Sequence, residues 1–378
     1  MIRRFPAEWE PQDGVMMTWP HDGGDWAPYL QTVEPVFVRI AAEIAKRERL
    51  LLVCRDEAHR RYVEKLLNGA GADLVRVRFH CIPSNDTWAR DHGPITVIEG
   101  DKPSLCDFGF NGWGGKFEAG LDNRITAALH GQGAFGGVPL ERIDLILEGG
   151  GIETDGLGTL LLTRRCLLSE TRNPGMTQER MEALLARHLG ARRFLWLDEG
   201  GLDGDDTDGH IDTLARFSDP NTILYQACDD TQDPNHPGLQ AMADELRTLR
   251  DAGGKPYRLI PLPSPRPIRN AEGDQLPASY ANFLIINGET CRSQLTPLTP
   301  VSGGEAYRSQ LTPLTPFPGG AVLAAIYQDP ADAVVLERLA SAFPGREIVP
   351  IDCRPLILQY GSLHCVTMQL PRGVLGKT

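Results

Sequence analysis

Polar residues that could do chemistry occur in short clusters, each at the end of an apolar run. One cluster places Cys365 directly after His364, close to the C-terminus. A cysteine is a nucleophile when a base or a nearby positive charge stabilises its thiolate. Because neighbours on a strand point to opposite faces, His364 is a poor base for Cys365, and a histidine distant in sequence is the better candidate.

His210 is that candidate, and it lies in the aspartate-rich segment Asp203–Asp212. The segment does not fit a calcium loop: if Gly209 takes the sixth position, residues that cannot bind the ion fall at the first and twelfth. What remains is His210 and Asp212, which run into a predicted strand and would there share one face. No further histidine or cysteine lies at the short spacing typical of a metal site.

Two more clusters lie between apolar runs. Asn85–Pro94 contains Asp91 beside a tryptophan and a Gly-Pro turn, and in Leu147–Gly151 the lone Glu148 precedes three glycines. Loops of this kind often carry function on a rigid scaffold, and glycines allow close approach. Taken singly, a polar turn or a glycine turn explains each cluster equally well. The glycines do not form a phosphate loop, because GxGxxG spacing and a Walker lysine are missing.

Composition and charge limit the class of protein. The 378 residues are 41% apolar and 23% charged, which indicates a folded globular chain. A net charge of −12 argues against a nucleic-acid or membrane partner and suits a small cationic substrate, although many globular proteins are equally acidic. The first residues lack a signal sequence, so we expect a cytoplasmic protein. The eight cysteines form no CxxC pair, which predicts reduced, mostly buried thiols.

Short β-like runs alternate with amphipathic stretches along the chain. Helices are predicted at Val33–Arg47, Glu57–Leu67, Thr177–His188, Leu239–Arg250 and Ala331–Phe343. Strands are predicted at Leu50–Cys54, Val75–Ile82, Ile95–Ile98, Leu105–Phe110, Ile143–Leu147, Thr159–Thr163, Phe194–Leu197, Thr213–Phe217, Thr222–Ala227, Tyr257–Leu262, Phe283–Asn287, Ala321–Tyr327, Glu347–Ile351 and Leu363–Leu370. Two or three strands for each helix is too many for a doubly wound sheet and favours a repeated β-β-α-β unit.

One segment is repeated. The sequence RSQLTPLTP occurs at Arg292–Pro300 and, unchanged, at Arg308–Pro316. Its prolines are incompatible with regular helix or sheet, so we interpret about 289–320 as an exposed, extended insertion. A local duplication, or an error in the sequence, explains it better than a proline-rich recognition motif.

Together the clusters resemble the agmatine deiminase and bacterial peptidylarginine deiminase family of guanidino-group modifying enzymes. The residues that carry the resemblance are Pro6–Pro11, Met17–Pro20, Asn85–Pro94, Asn111–Lys116, Glu148–Gly151, Arg172–Pro174, Thr207–Asp212 and Leu363–Thr367. The resemblance implies a single α/β catalytic domain over residues 1–378, a pseudo-fivefold propeller of ββαβ repeats with a central active site, and a homodimer. The insertion and the short Gly361-Ser362 run depart from the family pattern.

The resemblance also implies roles for the polar residues. Asp91 and Asp212 would hold the guanidinium, whose fork of donors suits paired carboxylates. Glu148 and His210 would transfer protons, and Cys365 would attack the guanidinium carbon to form a thiouronium intermediate. Neither a metal nor a cofactor is implied.

Further residues would bind the substrate. Asp206 matches another acidic position of the family's site, and Trp88 and Trp113 would line the pocket. Agmatine is the favoured substrate, because secreted peptidylarginine deiminases resemble longer chains with a signal peptide and an extra domain. Peptidylarginine, free arginine and a non-catalytic guanidino-binding or metal-dependent protein stay open. An arginine in the pocket would favour free arginine; Arg90 is the nearest, but its neighbour Asp91 suggests that it points away.

Overall fold

Strands and helices alternate along the chain in this computed structural model, which describes residues 3–288 and 319–376. The strands are β1 (Arg3–Arg4), β2 (Gln12–Thr18), β3 (Arg49–Cys54), β4 (Val77–Cys81), β5 (Ile95–Glu99), β6 (Lys102–Gly109), β7 (Leu140–Ile146), β8 (Ile152–Thr154), β9 (Thr159–Thr163), β10 (Arg193–Leu197), β11 (Ala215–Asp219), β12 (Thr222–Ala227), β13 (Arg258–Pro263), β14 (Leu284–Ile286), β15 (Ala321–Ile326), β16 (Glu347–Asp352) and β17 (Met368–Pro371). The helices are α1 (Leu30–Ala45), α2 (Glu57–Gly69), α3 (Ala89–His92), α4 (Gly112–Gly115), α5 (Ile125–Gly131), α6 (Arg164–Leu167), α7 (Gln178–Leu189), α8 (His236–Thr248) and α9 (Ala331–Ala342).

The described strands form five small mixed sheets. Their orders are β17-β2-β3-β4, β1-β5-β6-β7, β8-β9-β10, β11-β12-β13 and β14-β15-β16. In every sheet an antiparallel pair is followed by a parallel pair, and helical segments connect the parallel strands. Parallel neighbours need such a crossover, whereas antiparallel neighbours need only a turn. This is the β-β-α-β order predicted from the sequence, and the α/β class is confirmed.

Local sequence signals determine where the longer helices begin and end. The Asp56 side chain accepts a hydrogen bond from the His59 amide at the start of α2, and Thr177 caps α7 through the Arg180 amide. Such caps satisfy amide groups that have no partner within the helix. Helix α7 ends at Gly190, whose φ of 71° favours glycine. The predicted helices are confirmed to within a few residues.

Two predicted strands start later than expected. The strand predicted at Thr213 begins at Ala215, because Ile211–Thr213 forms a 3₁₀ turn. The strand predicted from Leu363 begins only at Met368, and residues 363–366 form a turn. Strands β2 and β8 were missed, because polar residues such as Asp13 and Glu153 interrupt their apolar patterns. The duplicated segment predicted at 289–320 lies almost wholly outside the described residues.

The C-terminal strand closes the fold onto the N-terminal part of the chain. Strand β17 pairs antiparallel with β2, with Met368 opposite Met16. The turn that carries Cys365 therefore leads into a strand that is paired with Gln12–Thr18. Within the described ranges, no helix is long and apolar enough to cross a membrane.

Candidate active site

The predicted site residues share one position in the fold: each lies in the loop that precedes the first strand of a β-β-α-β unit. These residues are Asp91 before β5, Glu148 before β8, His210 and Asp212 before β11, and Cys365 before β17. The remaining unit carries Asn282 before β14. Because equivalent loops supply all these groups, the repeated unit brings together residues that are far apart in sequence.

Cys365 lines a pocket of about 370 Å³, a volume that includes open solvent. Its other lining residues are acidic, aromatic or uncharged: Asp86, Trp88, Asp91, Trp113, Phe117, Asp206, Thr207, Gln359, Tyr360 and Gly361. The predicted positions of Asp91, Asp206, Trp88 and Trp113 beside Cys365 agree with this pocket. Among the described residues, no lysine or arginine lines it. A cation is thus the ligand that its charge favours.

Asp91 is held by neighbours from two other loops. Its Oδ1 accepts a hydrogen bond from the Gly150 amide, and its Oδ2 accepts one from the Trp113 indole, both at 3.0 Å. The amide of Arg90 donates to the Cys365 carbonyl at 3.1 Å, so helix α3 is anchored to the cysteine loop. Burial raises the pKa of Asp91 to about 6, with the Asp212 carboxylate adding to the effect.

The three glycines after Glu148 allow a close approach. A Cβ on Gly150 would lie 2.5 Å from His210 Nδ1 and 3.0 Å from Asp91 Oδ1. Any side chain at this position would push the imidazole away from the carboxylate. The glycine run therefore has a packing role in the site, which the sequence alone left open.

His210 and Glu148 form a buried acid–base pair. His210 Nε2 lies 3.3 Å from Glu148 Oε2, and Arg172 Nε donates to both oxygens of Glu148 at 2.9 and 2.7 Å. Burial lowers the pKa of His210, but Asp91, Cys166 and Glu148 outweigh it and hold this pKa well above the usual value. Burial raises the pKa of Glu148, yet His210 and Arg172 keep it below the usual value. The pair thus favours an imidazolium and a carboxylate.

A second cysteine lies next to this pair. Cys166 Sγ is 3.8 Å from Glu148 Oε2, and ligand atoms of Glu148, Cys166 and His210 lie within 4.8 Å of one another. Three such side chains could bind a metal ion. However, Arg172 Nε already donates to both oxygens of Glu148, and its positive charge would repel a metal cation at this position. Cys166 is not among the residues that line the Cys365 pocket.

Asp212 reaches the site by a different geometry from the one predicted. Asp212 lies within the 3₁₀ turn at Ile211–Thr213, directly after His210. The prediction that the two side chains share one face of a strand was therefore wrong. Asp212 Oδ2 lies 2.7 Å from His364 Nδ1, whereas its buried Oδ1 has no hydrogen-bond partner in the described structure. An unpaired buried carboxylate oxygen is costly unless a ligand completes it.

Cys365 lies in a turn, next to a residue that the sequence analysis missed. Its Sγ is 3.4 Å from Asn282 Oδ1, which also accepts from the His364 amide at 2.8 Å. Burial and the carboxylates of Asp212 and Asp91 raise the pKa of the Cys365 thiol well above its usual value. The signal for Asn282 was its place before a predicted strand, the position that site residues take in the other units.

Arg90 points away from the pocket, as predicted. Its guanidinium contacts the His364 carbonyl, Met368 Sδ and Gln369 Oε1 and lines a separate cavity. Trp19 lies in the apolar core and does not line the Cys365 pocket.

Comparison with known proteins gives consistent matches over the whole chain. The profile of the Porphyromonas-type peptidyl-arginine deiminase family matches residues 4–294 and 317–371. The chain is 32% identical to an agmatine deiminase from Pseudomonas putida, with 98% of this chain and 96% of that protein covered.

Solved structures agree. A Porphyromonas gingivalis protein provisionally named an arginine deiminase is 44% identical, with a TM-score of 0.84 over 99% of this chain and all (100%) of that chain. A cysteine-to-serine variant of C. jejuni agmatine deiminase with substrate bound is 31% identical, with a TM-score of 0.83 over 98% of this chain and 97% of that chain. The chain therefore belongs to the Porphyromonas-type peptidyl-arginine deiminase family.

Proposed function

We propose that this protein is an agmatine deiminase, a hydrolase that converts agmatine to N-carbamoylputrescine and ammonia through a covalent cysteine intermediate. The observation that carries the proposal is the pocket that Cys365 and Asp91 line together, with Asp86 and Asp206 among the other lining residues. Agmatine is positively charged at both ends, so it complements a pocket with acidic groups and no basic ones among its described lining residues.

Free arginine fits this pocket less well. The α-carboxylate of arginine would need a basic partner, and Arg90, the candidate for that contact, lies in a different cavity. The amine of agmatine would instead meet Asp206, while Trp88 and Trp113 pack along the aliphatic stem. Peptidylarginine deiminase is the second candidate, and the name of the matched family favours it.

The guanidinium would be held between two carboxylates. Asp91 and Asp212 are both buried, and Asp212 Oδ1 has no other hydrogen-bond partner in the described structure. A planar guanidinium can donate to both at once, which fixes its carbon beside the Cys365 thiol. Substrate binding would also offset the negative charges that raise the pKa of Cys365, so the thiol would ionise when the cation enters.

The reaction then proceeds in two halves. The thiolate forms a C–S bond to the guanidinium carbon, the His210 imidazolium gives a proton to one terminal nitrogen, and ammonia leaves with its C–N electron pair. A thiouronium remains on Cys365. Neutral His210 next takes a proton from water, whose oxygen attacks the same carbon; the C–S pair returns to sulfur, and the remaining hydroxyl proton passes to solvent. Glu148 stabilises the His210 cation at 3.3 Å.

Cys166 is the rival nucleophile. It also lies beside His210 and Glu148, but unlike Cys365 it does not line the pocket that contains Asp91. A nucleophile must reach the reacting carbon, so position favours Cys365.

The proposal extends to the whole molecule. We propose that the five sheets are the blades of a pseudo-fivefold propeller, that the equivalent loops surround its central channel, and that residues 1–378 form one catalytic domain. A homodimer and a cytoplasmic location stay predictions.

The test offers agmatine, free arginine and a peptidyl-arginine to purified protein and measures ammonia and ureido product. We expect turnover of agmatine alone, a loss of at least about a thousandfold in Cys365→Ala and of less than about tenfold in Cys166→Ala. Activity should survive a chelator. The reverse order of the two cysteine variants would make Cys166 the nucleophile, preference for the peptide would favour the second candidate, and binding without turnover would indicate a non-catalytic protein.

A further inference from the structure

A buried chain of charged groups lies behind the Cys365 pocket. His364 Nδ1 is 2.7 Å from Asp212 Oδ2, and His364 Nε2 is 2.7 Å from Glu8 Oε2. Ionised carboxylates only accept hydrogen bonds. The His364 ring is therefore held between two carboxylates, one at each ring nitrogen.

Both acids are held in the ionised form. Burial raises the pKa of Glu8, but Arg216 and His364 outweigh it and hold this pKa far below the usual value. The hydrogen bond and charge of His364 likewise outweigh the burial of Asp212 and lower its pKa. Arg216 Nη2 donates to Glu8 Oε2 at 2.9 Å, and its Nε donates to Glu153 Oε2 at 2.7 Å. Arg90 Nη2 lies 3.7 Å from Glu8 Oε2, so a second arginine adds positive charge beside Glu8.

Neighbouring residues in two loops face two different cavities. Asp91 and Cys365 line the proposed substrate pocket, whereas Arg90, His364 and Glu8 line the other cavity. Glu8 and His364 therefore line the other cavity and not the substrate pocket. The His364 ring is linked to the site through Asp212 Oδ2, and its backbone amide donates to Asn282.

We propose that Glu8 and His364 are positioning residues, and that the Glu8–His364–Asp212 chain holds the Asp212 carboxylate with Oδ1 free for the guanidinium. The inference deepens the proposed function and rests on it. Glu8 orients the ring, the ring binds Asp212 Oδ2, and Oδ1 is left as the acceptor that faces the ligand. In many metal sites a carboxylate orients a metal-binding histidine in the same way.

Two amide substitutions separate the two contacts of His364. In His364→Asn the amide nitrogen can occupy the place of Nδ1 and still donate to Asp212, while the bond to Glu8 is lost. In His364→Gln the amide reaches towards Glu8, and the bond to Asp212 is lost. We expect agmatine kcat/KM to fall about 10-fold to 100-fold further in His364→Gln than in His364→Asn, as for the loss of a hydrogen bond to a charged group.

Glu153→Gln is the matched control, because it perturbs Arg216 in the same buried network without touching His364. It should lower the melting temperature yet leave the pH dependence of binding unchanged. A general loss of structure would affect all three variants alike, whereas the proposal predicts that only the two His364 variants change the response to pH.

The pH response is measured as agmatine binding to each variant in the Cys365→Ala background. The charged and titratable groups around Asp212 are His364, Arg216, His210, Arg90, Asp91 and Cys365. The hydrogen bond and charge of His364 lower the pKa of Asp212, so the acidic limb of binding should move to higher pH by about one unit in both His364 variants. An unmoved limb, or equal loss in His364→Gln and His364→Asn, would overturn the proposal.

The contact between His364 and Asp212 can be read without any substrate. A long-range ¹H–¹⁵N spectrum, with the His364 signals identified by their absence in His364→Asn, should show the proton that Nδ1 donates to Asp212. An Nδ1 without a proton would overturn the inference even if the enzyme were active. If instead Cys365→Ala bound no guanidino compound while the spectrum showed this proton, the proposed function would fail and the contact between His364 and Asp212 would stand.

Discussion

The Trp113 indole donates a hydrogen bond to Asp91 Oδ2 at 3.0 Å from a residue whose φ is 55°. A bulky side chain rarely adopts this left-handed backbone, which costs on the order of 1–3 kcal/mol. The flanking Gly112 and Gly114 also have positive φ. The strained turn thus aims an indole at a carboxylate that we assign to the guanidinium.

Replacing Trp113 by phenylalanine should weaken catalysis and leave the fold intact. The phenylalanine ring still fills this part of the pocket wall, but the Asp91 carboxylate loses the hydrogen bond from the indole. A hydrogen bond to a charged group is worth about 1.5–3 kcal/mol, so agmatine kcat/KM should fall about 10-fold to 100-fold. Trp19→Phe, the same change in the core, is the control and should alter only the melting temperature. Steady-state kinetics with equal losses in both variants would contradict this role of Trp113.

Gly150→Ala should abolish turnover without unfolding the protein. The added methyl group would lie 2.5 Å from His210 Nδ1 and 3.0 Å from Asp91 Oδ1, and both of these side chains are buried. We expect a loss of about a hundredfold or more in kcat, since displacement by about 1 Å is enough for such an effect. Gly69→Ala is the control, because a Cβ there meets nothing within 4 Å. Near-normal kcat in Gly150→Ala would show that His210 can move freely.

The affinity for agmatine should rise as the pH passes about 7. Burial, with the Asp205 carboxylate adding to it, raises the pKa of Asp206 to about 7, so this side chain gains its negative charge near neutrality. The cationic amine of agmatine then gains a partner, and KM should fall about tenfold between pH 6 and 8.

Asp206→Asn should remove this step in KM and leave kcat nearly unchanged, because the amine is remote from the reacting carbon. Butylguanidine, which lacks the amine, is the matched substrate: its KM should not respond to the substitution. If both substrates lost affinity equally, Asp206 would contact the guanidinium end instead.

The loops of the site could be predicted from sequence, but their contacts could not. Asp91, Glu148 and Cys365 stand out because each polar cluster interrupts an apolar run, which is a local signal. The His364–Asp212 and His364–Glu8 contacts join residues 152 and 356 positions apart, and only the folded units bring them together.

Other differences come from backbone geometry. The 3₁₀ turn at Ile211–Thr213 took the place of the expected start of a strand, because nothing in its composition distinguishes a buried turn from the end of a strand. Asn282 was missed since a lone asparagine between apolar residues is also typical of an ordinary turn. Its position became informative only when the five units could be compared.

Deleting Glu289–Gly320 should preserve the fold and the activity. Ile286 of β14 pairs with Ala321 of β15, so joining Gly288 to Ala321 would leave a two-residue Asn287-Gly288 loop between paired strands. Asn-Gly is the preferred sequence of such hairpin turns, because both positions need positive φ. The match to the family profile is also interrupted within this segment, at 295–316.

The shortened loop should raise stability by about 1–2 kcal/mol, because less chain entropy is lost on closing it. Thermal unfolding of the full-length protein and of the deletion variant would measure the change in stability, and agmatine turnover would compare their activities. Adding Gly288→Ala to the deletion is the control, and it should reverse the gain, since alanine disfavours positive φ. An insoluble or inactive deletion variant would show instead that the duplicated segment takes part in the structure on which the site depends.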